Sequence, residues 1–135
     1  MLTIQLNSQT PIGEQIEQGI RLAIASGELS PGDSLPTVRQ LASDLGVNLN
    51  TVARAYRSLE QSGLLTSVQG KGTQVRASTE AKRFPAPVFR KELRARCRLL
   101  FADSLLAGLN KETIRELVLT ELEQFWPNDT MEGSK

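Results

Sequence analysis

The chain contains no histidine and a single cysteine, Cys97. Those two scarcities remove zinc-finger ligand spacing, disulfide frameworks, Ser-His-Asp triads and Cys-His dyads together. Paired carboxylates in a plausible cleft and a phosphate-loop motif are also missing, so neither an enzyme nor a resident metal or cofactor is expected. No apolar run approaches the roughly 20 residues that span a bilayer. The start, Met1-Leu2-Thr3-Ile4-Gln5, lacks the basic and apolar stretches of a secretion signal. A cytoplasmic protein without a membrane partner is expected. Cys97 lies within an apolar-periodic segment, where a free cysteine serves as a small hydrophobe rather than a redox sensor.

What is present is an ordinary globular composition, 39% hydrophobic and 23% charged over 135 residues. That length suits one small domain with an accessory piece. Charge alone points nowhere, because the net value is +1. Residues 1–78 hold six cations (Arg21, Arg39, Arg54, Arg57, Lys71, Arg76) against six acids (Glu14, Glu17, Glu28, Asp33, Asp44, Glu60). Any nucleic-acid reading must therefore rest on where charges sit rather than on how many there are.

Patterning supplies the elements. Leu2, Ile4 and Leu6 alternate as in an extended lead. Pro11 suits a helix opening, Ile12, Ile16, Ile20, Ala23 and Ile24 follow at helical spacing, and Gly27 ends the run. Glu28 to Asp33 reads as a turn around Pro31-Gly32. Thr37-Val38-Arg39-Gln40 has capping-box form and starts a second helix with Val38, Leu41, Ala42 and Leu45 inward. Gly46-Val47 separates it from a third helix, capped by Asn48, with Val52, Ala55, Tyr56 and Leu59 inward and Gly63 at its close. Two short helices joined by so tight a turn make a helix-turn-helix. Leu64 to Val68 and Thr73 to Arg76, around Gly70-Lys71-Gly72, read as a hairpin. Three helices and a hairpin give the winged-helix order.

Ser78, Thr79, Pro85 and Pro87 disfavour regular structure over Ala77 to Pro87, which reads as a hinge. Two amphipathic helices follow. Phe89, Leu93, Cys97, Leu100, Phe101, Ser104 and Leu105 share one stripe. After a turn at Gly108-Leu109-Asn110, Ile114, Leu117, Val118, Leu122 and Phe125 form another, ended by Trp126-Pro127. About fifty residues are too few to enclose a ligand-sized pocket in their own core. The stripes therefore predict burial against a second copy, with Phe89, Leu93, Cys97, Leu100, Phe101, Leu105, Ile114, Leu117, Val118, Leu122 and Phe125 at a homodimer seam. The expected fold is α+β: a winged helix-turn-helix over 1–77, a hinge over 78–87, an all-α two-helix dimerisation region over 88–127 and a flexible tail over 128–135.

A helix-turn-helix reads DNA with the start of its second helix. Asn48, Leu49, Asn50, Thr51, Arg54, Arg57 and Ser58 are the third-helix side chains not needed for packing, Asn48 being chiefly a cap. Asn50 and Arg54 lie four apart on one face, with chemistry suited to adenine and guanine edges. Thr51 could reach a phosphate or thymine methyl, and Leu49 a thymine methyl. Arg39 opposes the helix dipole in the first turn of its helix, beside Thr37, which a phosphate contact would explain. Gly70, Lys71 and Gly72 form a wing tip that allows close approach to the duplex.

The stretch from Gly27 to Ala42, GELSPGDSLPTVRQLA, resembles the G-x-L-x-P-G-x-x-L-P-S-x-R-x-L-A signature of the GntR family. The resemblance runs through Leu45-Gly46-Val47-Asn48, Thr51-Val52, Leu59-Glu60-x-x-Gly63-Leu64 and the Gly-x-Gly-Thr wing, covering about residues 9 to 77. Asn50 to Tyr56, NTVARAY, is similar to the YtrA-type branch, as is the short C-terminal part. That resemblance implies a homodimeric repressor of double-stranded operator DNA, often encoded beside ABC-transporter genes. It also implies that Arg39, the start of the third helix and the wing glycines contact DNA. Leu49 and Ala53 stand where many members have arginine, so their base readout does not transfer. Gly13 and Gln74 replace aromatics, which is expected to loosen packing locally.

Other classes fit less well. A winged helix serving only as a protein-interaction module predicts no directed polar face, against Asn50, Arg54 and Lys71. A membrane-surface helix could use Arg90, Lys91, Arg94, Arg96 and Arg98, but Glu112, Glu116, Glu121 and Glu123 on the next helix can offset them. Repression implies a release signal. If that signal is a small-molecule effector, still unidentified, the hinge and the dimer seam are where it would act.

Overall fold

In the computed structural model, residues 4–76 and 86–125 are described. The chain divides into two compact units, Met1–Arg83 and Phe84–Lys135. Helix α1 spans Ile12–Ser26, with Pro11 just outside it at the N-cap rather than at the first helical position. Ile16, Ile20 and Ala23 are its buried face. Ahead of it the expected extended lead is not a strand. The Gln15 side chain donates to the carbonyls of Gln5 and Thr10 at 3.0 and 2.9 Å and accepts from the Gln5 amide at 2.8 Å. This clasp turns the chain, leaving Leu6 75% exposed while Ile4 packs on the core. Leu2 lies outside the described residues.

Helix α2 (Val38–Leu45) buries Leu41 and Ala42, and α3 (Leu49–Gln61) buries Val52, Ala55, Tyr56 and Leu59. Between them Gly46 sits at φ 69°, the left-handed region that costs a side chain dearly. Its amide and that of Val47 bond to carbonyls of α2. The antiparallel strands β1 (Leu65–Val68) and β2 (Gly72–Val75) pair Leu65 with Val75, and both are buried.

One pairing was absent from the sequence reading. Residues 32–35, read only as the end of a turn and a connector, lie along the free edge of β2. Val75 donates to Asp33 O and Leu35 to Thr73 O, each at 2.8 Å, and Gly32 donates to Val75 O at 2.9 Å. Ser34 and Gln74 form an isolated antiparallel bridge. This edge ties the wing to the helices and brings Leu35 into the core.

The second unit holds α4 (Ala86–Leu106) and α5 (Lys111–Phe125), separated by a turn in which Asn110 Oδ1 caps α5 through the Thr113 amide at 2.9 Å. Ala86 and Pro87, read from the sequence as the end of the hinge, are helical. Proline needs no amide partner in a first turn, so it opens this helix instead of blocking it. The rest of that hinge, Trp126-Pro127 and the tail lie outside the described residues. No helix among the described residues is long and apolar enough to cross a membrane.

Tyr56 links α3 to the segment before α2, its hydroxyl donating to the Pro36 carbonyl at 2.7 Å. Burial pushes its phenol from the ordinary 10.0 up to about 12. Folding favours the neutral form, so this contribution to stability is complete below pH 10.0 and is lost as pH rises through about 12. It is the only tyrosine. Tyrosinate absorbance should therefore rise near pH 12 in the native protein and near 10.0 in denaturant.

Candidate nucleic-acid interface

Packing decides which face of α3 is left for a partner. Val52, Leu59, Ala55 and Tyr56 lie against a core that includes Ile16 and Ile20. With 3.6 residues per turn, burying these four turns Asn50 and Arg54 outward. Both are exposed, as are Asn48, Leu49 and Arg57. Asn48 caps the helix, its Oδ1 accepting from the Asn50 amide at 2.7 Å, so its side chain is already occupied. Leu49 is 41% exposed on the first turn, an apolar side chain in water beside two polar ones.

Thr51 is only half-buried and leans toward α1: a Cβ on Gly13 would meet its Cγ2 at 3.7 Å, an ordinary contact. An open groove between α1 and α3 is lined by Pro11, Ile12, Gly13, Glu14, Thr51 and Arg54 among others. Ser58 departs from the sequence expectation of a free surface residue. Its hydroxyl donates to Glu17 Oε1 of α1 at 2.9 Å. Glu17 is polar within an apolar stripe, and only the fold shows that serine forty-one positions on is its partner.

At the start of α2, Thr37 Oγ1 accepts from the Gln40 amide at 3.0 Å. Arg39 is exposed in the first turn, which contains no acid. At the wing tip Lys71 is exposed, and its amide bonds Val68 O at 2.9 Å to close the turn. Gly70 and Gly72 have φ 82° and 77°, with open space where a Cβ would be. Both are therefore glycines for backbone conformation, and their bareness lets a partner approach the chain. Gln74, in place of an aromatic, makes a long 3.5 Å contact from Nε2 to Ser34 Oγ.

Arg39, Arg54, Arg57 and Lys71 have no ion pair among the described residues. Three of the nearby acids are engaged otherwise: Glu17 by Ser58, Glu60 by Ser67, and Asp33 by the Ser30 amide. The surface thus presents unpaired cations, an amide and helix starts without acids, a set that suits phosphate and base edges. No cluster of groups able to hold a metal occurs among the described residues.

Asn48 and Asn50 can be separated experimentally. Asn48→Ala should lower unfolding stability by about 1 kcal/mol through loss of the cap. Asn50 has no side-chain bond among the described residues, so Asn50→Ala should stay within about 0.5 kcal/mol. Denaturant unfolding checks both.

Residues 12–75 match the family described as "Bacterial regulatory proteins, gntR family". Over 118 residues, 87% of this chain and 89% of the relative, the sequence is 35% identical to "HTH-type transcriptional repressor YtrA" of Bacillus subtilis strain 168. The fold is similar to that of a protein from Listeria monocytogenes EGD-e named as a transcriptional antiterminator, with TM-score 0.77 and 34% identity over 93% of this chain and 92% of that one. It is also similar to the AraR DNA-binding domain solved in complex with operator ORX1, with TM-score 0.50 and 32% identity over 55% of this chain and 95% of that one. The signature from Gly27 to Ala42, the winged helix-turn-helix built on it and the near full-length similarity to YtrA place the chain in the GntR family of bacterial regulatory proteins.

Proposed function

We propose that the protein is a homodimeric repressor that binds a (pseudo)palindromic operator in double-stranded DNA and acts in the cytoplasm. The observation that carries this reading is the outward face of α3, where Leu49, Asn50 and Arg54 are exposed without intramolecular partners among the described residues. In this reading Asn50 and Arg54 read base edges from the major groove. Leu49 meets a thymine methyl, and Thr51 reaches phosphate or a methyl from its half-buried position. Thr37, Arg39, Asn48, Gly70, Lys71 and Gly72 hold the backbone. The operator complex of the similar AraR domain supports a winged helix of this kind on DNA.

Dimerisation is supported by what the second unit lacks. None of the described residues in α4 and α5 is buried. Of the eleven side chains assigned to the seam, Cys97 and Ile114 are half-buried and the other nine are exposed, from Phe125 at 38% to Leu105 at 69%. Open apolar grooves of about 510 and 330 Å³ run beside α5, lined by Phe101, Leu105, Ile114 and Val118 in one and Leu100, Leu117 and Val118 in the other. Each such side chain gains roughly 1.5–3 kcal/mol on full burial, a large drive toward a second copy. A small-molecule effector would act by favouring one spacing of the two recognition helices over another, at the hinge or the seam. A transporter operon as the target rests on the resemblance to the YtrA-type branch alone.

Fluorescence anisotropy with DNA from upstream of the gene, beside a scrambled duplex, tests the reading. A preference of roughly 10³-fold at moderate salt is expected; no binding to either duplex at low salt would favour a protein-interaction module. Arg54→Ala should cost about 1–3 kcal/mol and relax base preference, whereas Lys71→Ala should weaken all sequences alike and reduce the salt slope by about 1. Uniform losses from both would contradict this division of roles. Deleting residues 88–135 should give a monomer with far weaker operator binding, because linked half-sites gain effective concentration. Sedimentation and the same titration read both effects.

A further inference from the structure

The opening turns of α4 carry an excess of positive charge that is only partly paired among the described residues. Between Ala86 and Arg98 lie Arg90, Lys91, Arg94, Arg96 and Arg98 against one acid, Glu92. Glu92 is taken by Arg96 at 3.2 Å. Among the described residues no ion pair joins the two helices, and Glu112 pairs with Arg115 of its own helix at 2.8 Å. The side chains involved are long and exposed, and water solvates them separately at little cost. Among the described residues Arg90, Lys91 and Arg94 have no ion pair, near the positive end of the helix dipole, where cations are disfavoured.

These three cations share a stripe with Pro87, at spacings of three, four and seven residues, and together line one open groove. At about 100° per residue from Phe89, Leu93 lies at about 40° and Cys97 at about 80°, while Arg90, Arg94 and Lys91 lie at about 100°, 140° and 200°. The cations thus border the apolar seam where α4 begins, and the seam comes round to the angles of Arg90 and Arg94 at Phe101 and Leu105, about two to three turns further along.

We propose that Arg90, Lys91 and Arg94 form a second DNA-contacting surface, outside the winged helix-turn-helix, that takes duplex phosphates. The proposal rests on the reading that the protein binds DNA. Over residues 1–78 six cations are matched in number by six acids, so cations on α4 would add to the phosphate attraction of Arg39 and Lys71. Residues 86–98 carry a net +4, five cations less one acid, and follow β2 by only ten residues. Arg90 and Arg94 are about 6 Å apart along the helix axis, close to the separation of neighbouring phosphates on one strand. Phosphate contacts there hold the duplex without reading it, while α3 reads it.

The test uses the full chain with Arg90→Gln, Lys91→Gln and Arg94→Gln combined, titrated against a scrambled duplex and the upstream DNA over a range of salt. All three sites are exposed, so folding should survive. The expected result is weaker binding to both duplexes by the same factor. The log–log salt slope should fall by about 0.9 per lost contact, with base preference and dimer mass unchanged. An unchanged slope overturns the proposal. So does weaker DNA binding that appears only with dimer dissociation, which would assign the cations to carboxylates of a second copy. Loss of binding to phosphatidylserine vesicles with the DNA slope intact would assign them to a membrane instead. Wild-type protein that binds neither duplex at low salt fails the underlying DNA reading, and this is read before any variant is made.

Discussion

Burial of Val52, Ala55, Tyr56 and Leu59 against Ile16 and Ile20 is the contact on which the rest of the first unit depends. Val52, Leu59, Ile16 and Ile20 are each fully buried, so each contributes on the order of 1.5–3 kcal/mol. Because the four α3 residues span one side of a single helix, their burial also sets its rotation. Asn50 and Arg54 then face outward with no further adjustment. The Glu17–Ser58 bond and the Tyr56–Pro36 bond lock the same rotation with directed contacts that an apolar face alone does not supply. Stability and recognition are thus two sides of one helix.

The second unit inverts this relation. Asn110 caps α5, yet the unit's apolar side chains remain open to water in the single chain. Phe101, Leu105, Ile114 and Val118 line a groove instead of a core. Such a hairpin has local order but an unsatisfied hydrophobic surface, the condition under which association becomes part of folding. Its cations border the apolar seam at the start of α4, so charge and apolar surface lie side by side there.

Much was legible in the sequence because the signals were local. Thr37 and Asn48 cap the helices they precede, Gly46 and the wing glycines take positive φ, and the periodic apolar residues of the first unit's helices are buried or half-buried. The errors involve contacts between distant segments or choices made by flexible polar groups. The alternation of Ile4 and Leu6 suggested an extended lead, but a glutamine nine residues beyond Leu6 bends it. Ser58 looked free because its acceptor lies on another helix. Residues 32–35 looked like a turn and connector because their strand partner, β2, comes forty positions later. The interhelical charge offset failed because opposite charges on neighbouring helices need not meet when water serves both.

The sequence by itself determined the α+β class, the order of three helices and a hairpin, and the caps and inward faces of the first unit's helices. Those follow from backbone preferences and apolar period, which act within a few residues. Only the tertiary structure decided that residues 32–35 brace the wing, that Thr51 and Ser58 turn toward α1, and that Arg90, Lys91 and Arg94 have no ion pair among the described residues. These depend on which distant backbone edge or side chain arrives within bonding distance. That is a property of the packed chain, which no local pattern encodes.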